Sequence, residues 1–197
     1  AWQLIINLFM KIFLADTTFV TEKSLKNYLS FLSYSEQERL DRTSSFKARV
    51  TFVIGRVLIK SKLAEILNCR AEEVILKADK KGRLEIEFPA SNLSFNLSHS
   101  NNLITLALSE QRVGIDIEFL KKRDFLGIAQ EFFTKEETAL LKNSQAFERQ
   151  KLFYKFWTRK EALIKCKGEQ IFNHDVGAEG YQLTTMEVGK DYMLSIA

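Results

Sequence analysis

Phe46-Lys47-Ala48-Arg49-Val50-Thr51-Phe52-Val53-Ile54-Gly55-Arg56-Val57-Leu58 sets Phe46, Val50, Val53, Ile54, Val57 and Leu58 three and four residues apart. That spacing lines apolar side chains along one face of a helix, and it predicts a long amphipathic helix ending near residue 67. Upstream, Ser35-Glu36-Gln37-Glu38 reads as a capping box, in which a hydroxyl and a glutamate three residues on satisfy each other's backbone N–H groups. Downstream, Leu84-Glu85-Ile86-Glu87-Phe88 alternates as a strand does and stops at Pro89. Phe95-Asn96-Leu97 is strand-like and leads into Ser98-His99-Ser100, expected as a loop. Residues 103–108 and 113–118 read as two strands joined by a hairpin at 109–112.

The second half repeats this order. Phe133-Thr134-Lys135-Glu136-Glu137 offers another capping box, and residues 147–166 carry a second helical stripe through Phe153, Phe156, Leu163 and Ile164. The fold class expected is α+β, with two similar halves in a pseudo-twofold arrangement, each an antiparallel sheet packed with a long amphipathic helix. The halves are expected at 1–109 and 113–197. Residues 1–9 precede Met10 and read as an extension of the first half, and residues 1–13 as a single strand too short to span a membrane.

Composition narrows the class. Of 197 residues, 46% are hydrophobic and 27% charged, a globular balance, and 16 phenylalanines against one proline supply core material. A net charge of +4 suits an acidic protein, a phosphorylated ligand or nucleic acid. Cys69 and Cys166 form neither a CxxC pair nor a disulfide framework, which points to a reducing cytoplasm.

Gly114-Ile115-Asp116-Ile117-Glu118 is the most informative segment for chemistry. Side chains alternate along a strand, so Asp116 and Glu118 share one face. Two carboxylates side by side repel unless a cation lies between them, and a hard oxygen-seeking ion such as magnesium fits better than zinc. The spacing alone equally describes the solvent edge of an amphipathic strand. In Trp157-Thr158-Arg159-Lys160-Glu161-Ala162-Leu163-Ile164-Lys165, positions 157, 161 and 165 stack along one helical stripe. Glu161 there is either the partner of Lys165 or a third metal ligand. His99 between two serines can meet a phosphate. No G-x-S-x-G elbow accompanies it, and Lys80-Lys81-Gly82-Arg83 lacks the glycines of a phosphate-binding loop.

Taken in order, Phe95-Asn96-Leu97-Ser98-His99-Ser100, Gly114-Ile115-Asp116-Ile117-Glu118, Phe132-Phe133-Thr134 with Glu137, and Trp157-x-x-Lys160-Glu161-Ala162-x-x-Lys165 resemble the signature blocks of surfactin-type (Sfp-like) 4′-phosphopantetheinyl transferases. Arg39 and Gly55-Arg56-Val57-Leu58 sit where that family has its basic helical region. The resemblance implies a monomer that moves phosphopantetheine from coenzyme A to a serine of an apo acyl or peptidyl carrier protein, itself acidic, with magnesium or manganese. It implies Asp116, Glu118 and Glu161 as metal ligands, and Lys165 and His99 gripping the diphosphate. Lys160, Ser98 and Ser100 would line the same pocket, with Arg39 and Arg83 at the nucleotide end. Catalysis would rest on Glu161, Lys165 and His99. Arg83 stands in Gly82-Arg83-Leu84 where the family usually shows Gly-Lys-Pro, and Glu137 fits the family's F-[ST]-x-x-E pattern.

Two rival readings come from other classes. A magnesium-dependent nuclease also uses strand carboxylates and a nearby lysine, but Glu118-Phe119-Leu120-Lys121 gives E-x-x-K rather than E-x-K. An RNA-binding module would interleave aromatics with Lys and Arg on a strand face, whereas these aromatics follow apolar stripes. Neither nucleic acid nor a membrane is therefore expected as a partner.

Overall fold

The computed structural model describes residues 2–7, 10–169 and 177–197. The chain is mixed α and β with antiparallel sheets, and it divides into two compact units, residues 1–112 and 113–197.

In the first unit the opening stretch is two strands, β1 (Trp2–Asn7) and β2 (Met10–Asp16), paired antiparallel, where a single strand was expected. A short α1 (Glu22–Leu25) leads to α2 (Tyr34–Asp41). The cap of α2 lies two residues earlier than predicted. Ser33 accepts from the Glu36 N–H and Glu36 reaches back to the Ser33 N–H at 2.9 Å, because Ser33 has the extended backbone a capping residue needs, whereas Ser35 is already helical.

The expected long helix is α3 (Phe46–Leu67), opened by the Ser45 hydroxyl and closed by Asn68 in the left-handed region at φ 50°. Its Leu58, Ile59 and Leu63 pack on Phe13, Phe95, Ile104, Leu106 and Leu108. Those side chains belong to a four-stranded sheet ordered β1-β2-β6-β5, with β5 (Ser94–Ser100) and β6 (Leu103–Ser109). A separate ribbon pairs β3 (Ile75–Ala78) with β4 (Leu84–Phe88).

Two expectations fail here for identifiable reasons. Ser98, His99 and Ser100 are strand residues, held in register opposite Thr105, Ile104 and Leu103, and not a loop. The hairpin at 109–112 does not form, because β6 and β7 (Ile115–Phe119) belong to different sheets. Alternation identifies a strand but carries no information about its neighbour.

In the second unit β7 pairs with β9 (Tyr192–Ile196), which also pairs with β8 (Thr184–Val188), all antiparallel in the order β7-β9-β8. Over β7 and β9 lies α6 (Ala146–Lys167), preceded by α4 (Phe125–Phe132) and α5 (Lys135–Asn143). The predicted cap at Thr134 and Glu137 is present. Phe133, Phe153 and Tyr154 fill the core beside Met193, and the Phe153 and Trp157 rings stack at 6.0 Å. Among the described residues no helix is long and apolar enough to cross a membrane.

Candidate active site

The second unit gathers the acidic side chains singled out above. Asp116 is 5% exposed and Glu118 half-buried, both on β7. From α6, Glu161 and Lys165 come down on the same region, and the Lys165 Nζ donates to Asp116 Oδ1 at 2.6 Å. Burial, then the negative charge of Asp116 and, after the opposing pull of Lys165, that of Glu118, push the Glu161 carboxyl up to about 7 from 4.5. The three carboxylates are therefore close enough to act on one another, and the ammonium of Lys165 is the cation among them.

The approach of α6 to β7 depends on Gly114. A Cβ there would lie 2.0 Å from the Ala162 carbonyl oxygen and 2.4 Å from the Cys166 nitrogen, so no side chain fits. Gly114 is also tied to Ala197 by backbone hydrogen bonds of 3.0 Å in both directions.

Lys160 lies one step from Glu161 and pairs with Glu137 at 3.1 Å, its ammonium 5.7 Å from the centre of the Phe133 ring. Glu137 Oε2 also accepts the Thr134 N–H at 2.9 Å. One carboxylate thus closes the first turn of α5 and steadies a basic side chain of α6.

Arg39, Arg83, Ser98, His99 and Ser100 all lie in the first unit. In β5, His99 is exposed and Ser98 is 5% exposed, and strand alternation sends His99 to the face opposite the two serines. Arg39 is exposed, with its guanidinium 5.1 Å from the centre of the Phe52 ring. The Arg83 guanidinium donates to the Phe95 carbonyl at 3.2 Å and, with Arg112, lines a pocket of about 280 Å³.

Three hard oxygen donors with no thiolate or imidazole among them are a donor set suited to a hard divalent cation. Among the described residues no three His, Cys, Asp or Glu side chains stand in a ready-made metal-holding arrangement, and the Lys165 ammonium lies against Asp116.

Two family models together match residues 20–188. Residues 20–111 match the 4′-phosphopantetheinyl transferase N-terminal model, and residues 112–188 match the model of the 4′-phosphopantetheinyl transferase superfamily. The chain belongs to that superfamily. Its similarity to relatives runs through both units. The 4′-phosphopantetheinyl transferase HetI of Nostoc sp. is 34% identical over 154 residues, 76% of this chain and 65% of that protein. The gsp transferase of Aneurinibacillus migulanus is 29% identical over 152 residues, covering 77% and 62%, and Sfp of Bacillus subtilis is 28% identical over 153, covering 77% and 67%. The chain thus spans between three fifths and two thirds of the length of these phosphopantetheinyl transferases.

Sequence reasoning passed over three residues of the site region. Thr158, Ser195 and Thr185 form a hydroxyl chain between α6 and the sheet, with contacts of 2.7 and 2.9 Å. Their only sequence signal is polarity at positions that should be apolar: Thr158 on the inner face of a helix and Ser195 within a strand of hydrophobic residues.

Proposed function

We propose that this chain transfers the 4′-phosphopantetheine group of coenzyme A to a serine of an acidic apo acyl or peptidyl carrier protein and releases adenosine 3′,5′-bisphosphate. The observation that carries the reading is the convergence of Glu161 and Lys165 from α6 on Asp116 of β7, at positions that fall in the family's ordered motifs.

In this reading Asp116, Glu118 and Glu161 hold magnesium, or manganese in its place, and the ion when bound supplies charge neutralisation on the diphosphate oxygens. The serine oxygen forms a bond to the β-phosphorus as the bond to the bridging oxygen breaks, and the negative charge leaves on the bisphosphate. Lys165 offers its ammonium to the phosphate oxygens, and His99 serves the same end. In this reading the serine proton passes to Glu161 or to a water held at the site. Lys160, held by Glu137, is assigned to the same diphosphate end together with Ser98 and Ser100, and Arg39 and Arg83 to the nucleotide end. The similarity of the two halves, each with a capped short helix before a 22-residue helix, fits a duplicated architecture. A cytoplasmic monomer completes the reading.

The test is transfer of labelled phosphopantetheine from coenzyme A to several apo carrier proteins, with and without EDTA. Transfer that EDTA stops, and that Asp116→Ala and Glu161→Ala abolish while their circular dichroism stays native, is the expected result. Activity retained by both variants overturns the metal assignment. Phosphodiester cleavage without transfer makes the chain a nuclease.

A further inference from the structure

The hydroxyl chain between α6 and its sheet occupies a telling place. Asp116, Ser195 and Thr185 stand directly opposite one another on β7, β9 and β8, and facing residues of antiparallel strands project to the same side. On α6, Thr158, Glu161 and Lys165 are spaced by three and four, so they too share a side. The helix therefore meets this row of the sheet at two polar points, Thr158 on Ser195 at 2.7 Å and Lys165 on Asp116 at 2.6 Å.

Thr158 and Ser195 are both fully buried. The Thr158 hydroxyl donates to the Tyr154 carbonyl at 2.9 Å. Having one hydrogen to give, it must accept from Ser195, which in turn accepts from Thr185 at 2.9 Å. The protons run in one direction from β8 to the helix backbone, and every oxygen of the chain is used. Apolar side chains of similar size would pack at least as stably, but their contacts are non-directional and leave the helix free to slide. Short O–H···O contacts fix distance and angle together.

We propose that Thr158, through its hydroxyl contact with Ser195, is a positioning residue that sets where Glu161 and Lys165 come to rest over Asp116. The inference rests on the metal-dependent reading above and names a part of that site which touches neither ion nor substrate.

The test is Mn²⁺ binding to the full chain in the presence of coenzyme A and without carrier, followed by electron paramagnetic resonance. Thr158→Val, which removes the hydroxyl and keeps the shape, is expected to weaken Mn²⁺ binding by roughly tenfold, the low end of the losses seen when groups supporting metal ligands are removed. Thr158→Ser, which keeps the hydroxyl, is expected to restore most of it. A merely structural contact would lower the melting temperature and leave Mn²⁺ affinity unchanged at temperatures where the variant is folded. Unchanged affinity in Thr158→Val, or failure of Thr158→Ser to restore it, overturns the proposal. Should Thr158→Val not fold, Ser195→Ala removes the same contact from the sheet side while Thr158 keeps its bond to Tyr154, and affinity equal to wild type there overturns it equally. Wild-type protein that takes up no Mn²⁺, behaving like Asp116→Ala, refutes the metal reading itself and this inference with it.

Discussion

Glu161 holds its proton to a pH at which an ordinary glutamate has lost it, because burial and two neighbouring carboxylates outweigh the help of Lys165. Between about pH 4.5 and about pH 7 the folded chain keeps a proton that the unfolded chain has released, so this group's contribution to stability falls as pH rises through that window. The metal-free protein is accordingly expected to show a urea midpoint that declines from pH 5 to pH 7.5 by more than that of Glu161→Gln, and equal slopes in the two proteins would contradict the assignment. Gly114 makes a second prediction at this scale. Gly114→Ala must drive apart β7 and the α6 backbone, and overpacking of this kind costs about 1–3 kcal/mol. A lowered melting temperature is the expected result, together with loss of phosphopantetheine transfer if the transferase reading holds.

At the scale of elements, α2 is fastened to α3 by one carboxylate. Glu36 caps its own helix, receives Arg56 Nε at 2.6 Å and Lys60 Nζ at 2.9 Å, and Lys60 also donates to the Phe31 carbonyl at 2.7 Å. Arg56 and Lys60 are 7% and 3% exposed. Burial works to raise the Glu36 pKa, and the Ser33 N–H with Lys60 and Arg56 more than reverses it. Removing one partner of such a group leaves buried charge uncompensated, so Glu36→Ala is expected to lower unfolding free energy by about 3 kcal/mol in urea denaturation.

Elements also show what could be read in advance. The start of α3 at Phe46 and its end at Leu67 follow directly from the apolar period and match the structure, as do the strand at Leu84–Phe88 and the Thr134 cap. Periodicity is local, and these features are set locally. The non-local ones were missed: the sheet to which β7 belongs, the strand identity of Ser98-His99-Ser100, and the two-residue shift of the α2 cap, where Ser33 and Ser35 offer the same chemistry and the tertiary pull of Arg56 and Lys60 on Glu36 favours one of them. In the site, carboxylates at alternating and four-residue spacing stood out, whereas the close approach at Gly114 and the hydroxyl contacts of Thr158 and Ser195 did not. Their importance comes from what faces them across the fold, which no spacing along the chain encodes.

At the scale of the whole molecule, a net charge of +4 favours encounter with an acidic carrier protein. If the transferase reading holds, kcat/KM for the carrier should fall several-fold as salt rises from about 50 mM to about 300 mM, through KM more than kcat, because screening weakens attraction between exposed charges over that range. A salt-independent KM would show that charge plays no part in docking.

The topology of the second unit carries a consequence for how the molecule is made. Among the described residues β7, which bears Asp116 and Glu118, pairs only with β9, and β9 is the middle strand between β7 and β8. During synthesis these acidic residues emerge from the ribosome with α4, α5, α6 and β8 still to come before their partner strand is available. If the transferase reading holds, the acidic pair joins its sheet only when β9 closes this long loop of chain, and whatever delays that closure delays activity.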